Sequence, residues 1–505
     1  MPPYLVFAAN VAVLLAFCYV IIKKAVGGSR NTLPPSPPSI PLFGHLHLLG
    51  RLPHRSLRDL QARYGTDGGL LFLQLGRRRT VVVSTAAAAA DLYKNHDLAF
   101  ASRVPSATVH KLSLGSNNVS FAPYGDAWRR SKKLAVVHLL SPRRAASFGP
   151  VRAAEAAALV AGVRRAAEAG EAVELRELLY GYSNAVVTRA ATGTAGATAE
   201  EMKQLMVNST ALMSGLQLED VLPDAAAKVV RWATGLEKRL DRQVEAWDKF
   251  LSEMIAEHLE KNCGGVAGEE DFLDVLLRLR EEGTTGLELT DDRIKSIVQD
   301  MIFAGTETSS VTLEWAMAEL IRNPGAMAML RDEVARVSNG KPTIEEDDLS
   351  RMEYLKAVLK ETLRLHPPAP LLVPHESTTA AVVQGYEIPA KTALFINAWA
   401  IGRDPTTWGD AAEEFRPERF LGGGNVMGID LRGNDYQLLP FGAGRRVCPA
   451  VNFVLPMLEI VLASLVGHFD WKLPIGTRLD MSERPGLTTP PLAPMRLVPK
   501  CKTLV

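Results

Sequence analysis

Pro440-Phe441-Gly442-Ala443-Gly444-Arg445-Arg446-Val447-Cys448-Pro449-Ala450 is the stretch that decides how the chain is read. Gly442 and Gly444 permit backbone turns that residues with side chains avoid. An apolar helical run follows from about Asn452 to Val466. Cys448 therefore sits close to a helix start, where amide N–H groups and the helix dipole favour a thiolate. Arg445 and Arg446 add positive charge beside it. A thiolate so placed acts as a nucleophile or binds a metal. One cysteine cannot hold zinc, whereas one axial thiolate is enough for haem iron. From these residues alone a catalytic thiol, an iron ligand and a purely structural loop all remain open.

The other cysteines, Cys18, Cys263 and Cys501, are far apart and form no CxxC pair, which speaks against a disulfide framework or a zinc site. Lys and Arg total 57 against 56 Asp and Glu, so the chain has no basic footprint for nucleic acid. With 505 residues, 47% of them hydrophobic, it can bury a large core.

Residues 1–24 read as a membrane anchor. Tyr4 to Ile22 is almost wholly apolar, broken by Asn10, and at about 1.5 Å per residue it spans a bilayer core. The rival is a cleaved signal peptide, which favours a basic start and a shorter apolar stretch. Here Lys23, Lys24 and Arg30 follow the span, which places the body in the cytosol. Residues 25–49 form a basic and proline-rich hinge around Leu33-Pro34-Pro35-Ser36-Pro37-Pro38, a stiff spacer. Residues 50–505 form the body. With the body in the cytosol, the sequons at Asn118 and Asn208 stay unglycosylated.

Within the body, Leu70–Leu75 and Thr80–Val83 around Gly76 suggest a β-hairpin. The alanine run 86–90 suggests a helix. Long helical patterns cover Arg152–Glu168, Val229–Leu259, Asp291–Arg322, Gly325–Val337 and Leu355–Leu365, while Gly264–Glu269 reads as a surface loop. Gly385–Pro389 and Ala393–Ile396 suggest a second small sheet. The fold class is mainly α with minor β. In the 291–322 pattern, Ile294, Ile297, Val298, Met301 and Ile302 share one face. The helix continues as Ala304-Gly305-Thr306-Glu307-Thr308-Ser309, and an internal glycine costs about 1 kcal/mol relative to alanine. A helix-packing contact or a small-molecule groove explains it equally well. Glu361 and Arg364 form an i, i+3 charge pair, ordinarily a surface feature. Trp128-Arg129-Arg130-Ser131-Lys132-Lys133 is basic and reads equally well as a solvated face.

Taken together, these segments resemble the cytochrome P450 family over nearly the whole chain. The cysteine loop, with Phe441, Gly442, Arg446 and Cys448, is similar to the family's haem-binding loop, although Ala450 stands where glycine is usual. The resemblance implies the cytochrome P450 fold with an N-terminal transmembrane helix, haem b, and Cys448 as the iron ligand. It makes Ala304 and Gly305 the oxygen groove, and Glu307 and Thr308 the acid–alcohol pair that relays protons. Arg446, Trp128, Lys132 and His375 become donors to the haem propionates. Lys132 replaces the usual arginine and loses its bidentate fork. Glu361, Arg364 and Arg419 are implied to form a buried charged cluster behind the haem. Substrate contacts are expected within 101–121, 207–222, 298–308, 369–373 and 487–489.

The same resemblance implies a monooxygenase of the plant endoplasmic-reticulum membrane. It would use dioxygen and electrons from NADPH through cytochrome P450 reductase, docked on the basic Trp128–Lys133 face. Residues 52–60 and 372–375 are similar to grass enzymes of specialised metabolism, some of which act on indole-derived compounds, while neighbouring branches act on terpenoids, phenolics or amino-acid-derived oximes. Two other readings are a haem-thiolate isomerase or dehydratase, which often lacks an alcohol such as Thr308, and a non-catalytic haem sensor, which needs no proton relay.

Overall fold

The 32-residue helix Asp291–Arg322 organises the body. Thr290 caps it by accepting from the Arg293 N–H, Asp291 and Asp292 lie in its first turn, and Arg322 lies in its last, all matching the helix dipole. Ile294, Ile297, Val298, Met301 and Ile302 are buried, as their spacing requires. The helix packs on Leu175–Thr192, Glu353–Leu365 and Val451–His468. In this computed structural model the described residues are 33–502, apart from 194–196, 214–217, 263–269, 342, 423–425 and 427. The expected anchor and the expected loop Gly264–Glu269 lie outside them.

Gly305 lies against Val187, and Arg176 bonds Glu314, so Leu175–Thr192 runs antiparallel to the central helix. A Cβ on Gly305 would come within 3.0 Å of the Val187 side chain. Close helix packing thus accounts for part of the need for glycine there.

The sheets are small, and one grouping differs from the local pattern. Leu70–Leu75 and Arg78–Val83 form the expected hairpin, in register Leu70 with Val83. Tyr386–Ile388 and Ala393–Ile396 do not share a sheet. The former pairs with Ala381–Val383, whereas the latter lies parallel to Thr80–Val83 and joins a five-stranded sheet. A parallel partner some 300 residues away leaves no mark in the local sequence pattern. The expected helix Val229–Leu259 is also divided. Gly235, in the left-handed region at φ 61°, separates Asp224–Ala233 from Leu236–Asn262.

Val451–His468 is long and apolar enough to cross a membrane, but it is mostly buried in the body, against Gly149–Ala169, Pro324–Ser338 and Glu353–Leu365. Its start holds the cysteine loop.

Glu361, Arg364 and Arg419 meet in a buried cluster. Arg364 donates to both Glu361 oxygens at 2.6 and 2.7 Å, and Arg419 Nε donates to Glu361 at 2.9 Å. The remaining Arg364 donors reach the carbonyls of Gly402, Ala412 and Glu414. The Arg416 N–H also donates to Glu361. Glu361 and Arg364 are essentially inaccessible, so neither charge has water as an alternative. The cluster ties helix 353–365 to the 402–419 segment. Glu361→Ala should cost about 3–5 kcal/mol because it strands two buried guanidinium groups, measured by denaturant unfolding beside an exposed control such as Glu387→Ala.

Candidate functional site

A cavity of about 1450 Å³, mouth included, lies between the cysteine loop and the central helix. Phe441, Gly442, Val447, Cys448, Pro449 and Ala450 contribute one side, and Met301, Ala304, Gly305 and Thr308 another. Ala369, Leu372 and Val373 add an apolar edge, and Arg103, Trp128, Lys132, His375 and Arg446 also line it.

The loop's shape follows from its glycines. Gly442 and Gly444 have φ of 68° and 60°, and a Cβ on Gly444 would meet Asp97 at 2.3 Å. The turn closes when the Cys448 N–H donates to the Phe441 carbonyl at 2.9 Å. Ala450 caps the following helix at φ −93°, a conformation open to alanine, so the departure from glycine fits the backbone. The cysteine is not made a thiolate by its helix alone. Burial pushes the Cys448 thiol up, against the Ala450 N–H and the Lys132 charge. The anion needs a strongly positive partner at the sulfur.

Trp128 donates from its indole to the Val119 carbonyl at 3.0 Å, and the Arg446 guanidinium lies 3.9 Å over its ring. Arg446 donates to the carbonyls of Ala101 at 2.6 Å and Ala122 at 2.7 Å. Lys132 donates to the Val447 carbonyl. His375 Nδ1 pairs with the Phe100 carbonyl at 2.8 Å, and burial holds this ring well below its ordinary pKa.

Arg103 was not among the expected donors. It bonds the carbonyls of Ser120 and Val373 at 2.9 and 2.6 Å. No spacing marks it in the sequence. Only its place in strand Ser102–Arg103, which pairs with His375–Glu376, brings it here.

The cations are bound to neutral carbonyls. Burial pushes Lys132 and Arg446 down to about 8 and Arg103 down to about 10. The carboxylate lining the cavity, Asp300, is already engaged by the N–H groups of Val119 and Ser120 at 3.0 Å. The site is therefore short of negative charge. A flat apolar group with a metal at its centre and two carboxylates at its edge fits these residues. The metal would meet Cys448, the carboxylates the cations, and the ring the apolar walls.

Thr308 lines the cavity, its hydroxyl donating to the Ala304 carbonyl at 2.6 Å. Glu307, about 100° around the helix, turns away and accepts from Thr488 Oγ1 at 3.1 Å. Burial raises its pKa. Residues within 101–121, 298–308 and 369–373 line the cavity as expected, whereas among the described residues none from 207–222 or 487–489 does. Of the basic face, Arg129 and Arg130 are exposed and paired with Asp126, while Lys133 is exposed.

A partly buried thiol opposite a small-residue helix groove, with cations grouped around one apolar cavity, is the arrangement a haem-thiolate protein requires. A family profile described as "Cytochrome P450" matches residues 34–497, and the chain belongs to the cytochrome P450 family. "Cytochrome P450 71A1" of Persea americana is 44% identical over 467 residues, covering 90% of this chain and 91% of that one. "Premnaspirodiene oxygenase" of Hyoscyamus muticus is 39% identical over 499 residues, covering 97% of each. Among solved structures, a zebrafish cytochrome P450 with abiraterone superposes with a TM-score of 0.75 at 23% identity, covering 90% of this chain and 100% of that chain. The chain is a haem-binding monooxygenase of plant type. If Arg103 is a carboxylate donor, Arg103→Leu should lower haem retention, read as the ratio of haem to protein absorbance after gel filtration. Lys133→Leu, outside the cavity, should leave that ratio unchanged.

Proposed function

We propose that this protein inserts one atom of dioxygen into a C–H bond of a small apolar plant metabolite, using NADPH electrons delivered by cytochrome P450 reductase. The observation that carries this reading is the presence of the Cys448 thiol and the Thr308 hydroxyl in one largely apolar cavity. Haem held by Cys448 supplies the oxygen chemistry, with the thiolate as its electron-donating ligand. The protein supplies placement and proton control. Arg446, Trp128, Lys132, His375 and Arg103 orient the haem carboxylates, and Phe441 packs beside the cysteine loop. Ala304 and Gly305 leave space at the helix for dioxygen. Thr308 Oγ1, now donating to its own helix, turns to hold a proton toward the cavity. Glu307, whose pKa burial raises, resupplies that proton through water.

Met301, Ala304, Ala369, Leu372 and Val373 give the substrate an apolar surface, which suits an indole-derived or terpenoid skeleton. Residues 52–60 and 372–375 resemble grass enzymes some of which act on indole-derived compounds, whereas the name of the Hyoscyamus relative points to a terpenoid. Turnover with reductase and NADPH against both libraries, with product identification, decides between them. An absence of any oxygenated product, or product formed without NADPH, would overturn the reading.

The body is proposed to lie on the cytosolic face of the endoplasmic reticulum, with residues 1–24 as its single span and 25–49 as the hinge. Leu42 and Trp232, 88% and 82% exposed, support a membrane-facing side. Phe43, beside Leu42, and Val221, just before the helix of Trp232, both meet the hairpin turn, since Gly76 donates to Phe43 and Arg77 to Val221. A protein beginning at residue 33 should still sediment with phospholipid vesicles, and Leu42→Ser with Trp232→Ser should release it.

The Thr308 role yields a sharper expectation. Thr308→Ala should keep consuming NADPH but lose roughly tenfold or more of its product yield to peroxide. Unchanged product per NADPH would refute the relay.

A further inference from the structure

Glu307 faces away from the cavity, so its protons must arrive from behind the central helix. Glu307, Ser310 and Glu314 recur at i, i+3 and i+7, one stripe of that helix about 10 Å long. All three are buried. On the neighbouring helix, Arg176, Tyr180, Ser183 and Val187 recur at i, i+4, i+7 and i+11. Antiparallel packing fixes both ends of the contact. Val187 meets Gly305, and Arg176 grips Glu314 with Nε–Oε2 at 3.1 Å and Nη2–Oε1 at 3.0 Å. Tyr180 and Ser183 lie between those two contacts on their helix, and Tyr180 is near enough to feel the Glu307 charge.

A seam between two buried helices is ordinarily apolar. This one is not. Tyr180 Oη and Ser183 Oγ are buried, and among the described residues neither has a hydrogen-bond partner. Buried hydroxyls are almost always satisfied, and where protein does not satisfy them, water does. One end of the seam reaches solvent, because Arg176 is partly exposed. At the other, Thr488 donates to Glu307. The carboxyl groups at both ends feel the same two charges, Arg176 and Arg484, and burial raises the pKa of each.

We infer that the seam between helices 175–192 and 291–322 is the proton entry route to Glu307, with Tyr180 and the Arg176–Glu314 pair positioning the water that carries it. This rests on the reading of Glu307 as a relay acid. A proton enters at Arg176–Glu314, O–H bonds break and form along water between Tyr180 and Ser183, and the Glu307 carboxylate takes it up. No electrons move, and one proton entering replaces each one released toward Thr308. Tyr180 and Glu314 are positioning residues, since neither lines the cavity.

The test uses the full chain with reductase in membranes, fed NADPH and dioxygen without added substrate. Oxygen consumption and peroxide release are followed in H2O and D2O. The variants are Tyr180→Phe, Ser183→Ala, Glu314→Gln and, as reference, Glu307→Gln. The carbon-monoxide spectrum reports that each variant retains its haem. Tyr180→Phe and Glu314→Gln should slow proton-dependent oxygen reduction by roughly tenfold, below the 10²–10⁴ range of a positioned acid, and should raise the solvent isotope effect to that of Glu307→Gln. Adding either change to Glu307→Gln should have little further effect. Seam variants matching the unaltered protein while Glu307→Gln is slowed would overturn the route alone. A Glu307→Gln protein matching the unaltered one would overturn the relay and, with it, this inference.

Discussion

Desolvation of charge around Cys448 is the constraint from which the rest of the structure follows. A buried thiol resists ionisation, and buried cations lose their hydration. Arg103, Lys132 and Arg446 have carbonyls as partners, and Asp300 is spent on the N–H groups of Val119 and Ser120. Such an arrangement is costly until an anion and a metal arrive together. Haem would supply both, with iron for the sulfur and propionates for the cations. The site is thus matched to such a cofactor by what it lacks.

The central helix serves two environments. Ala304, Gly305 and Thr308 face the cavity with small or hydroxylated side chains, while Glu307, Ser310 and Glu314 are buried away from it. Adjacent residues therefore do different work: Thr308 touches the reaction space and Glu307 does not. Gly305 answers to both environments, since Val187 leaves no room for a side chain and the cavity needs none. The charged cluster of Glu361, Arg364 and Arg419 holds the neighbouring helix fixed on the loop side, so the cavity keeps its shape between these two supports.

Much of this was legible in the sequence because its signals are local. The cysteine loop, the hairpin at 70–83 and the long helices depend on glycine, turn and periodicity patterns within a few residues of one another. The helix bounds Asp291–Arg322 follow from the Thr290 cap and terminal charges. What stayed hidden depends on distant pairing. Ala393–Ile396 found its partner at Thr80–Val83, and Arg103 reached the site only through the strand that joins His375. The break at Gly235 was locally visible, but the apolar periodicity on either side masked it. The 207–222 and 487–489 segments were placed by family resemblance, and in this chain their described residues lie outside the cavity. Tyr180 and Ser183 carry no motif, because a polar stripe reads as a solvated face until a second helix is packed on it.

The most direct measurement is the absorbance of the reduced, carbon-monoxide-treated protein, compared with its Cys448→Ser variant. This account predicts the strongly red-shifted Soret band of thiolate ligation in the first, and its loss in the second. Retention of that band without the Cys448 sulfur, or its absence from the unaltered haem-loaded chain, would contradict it.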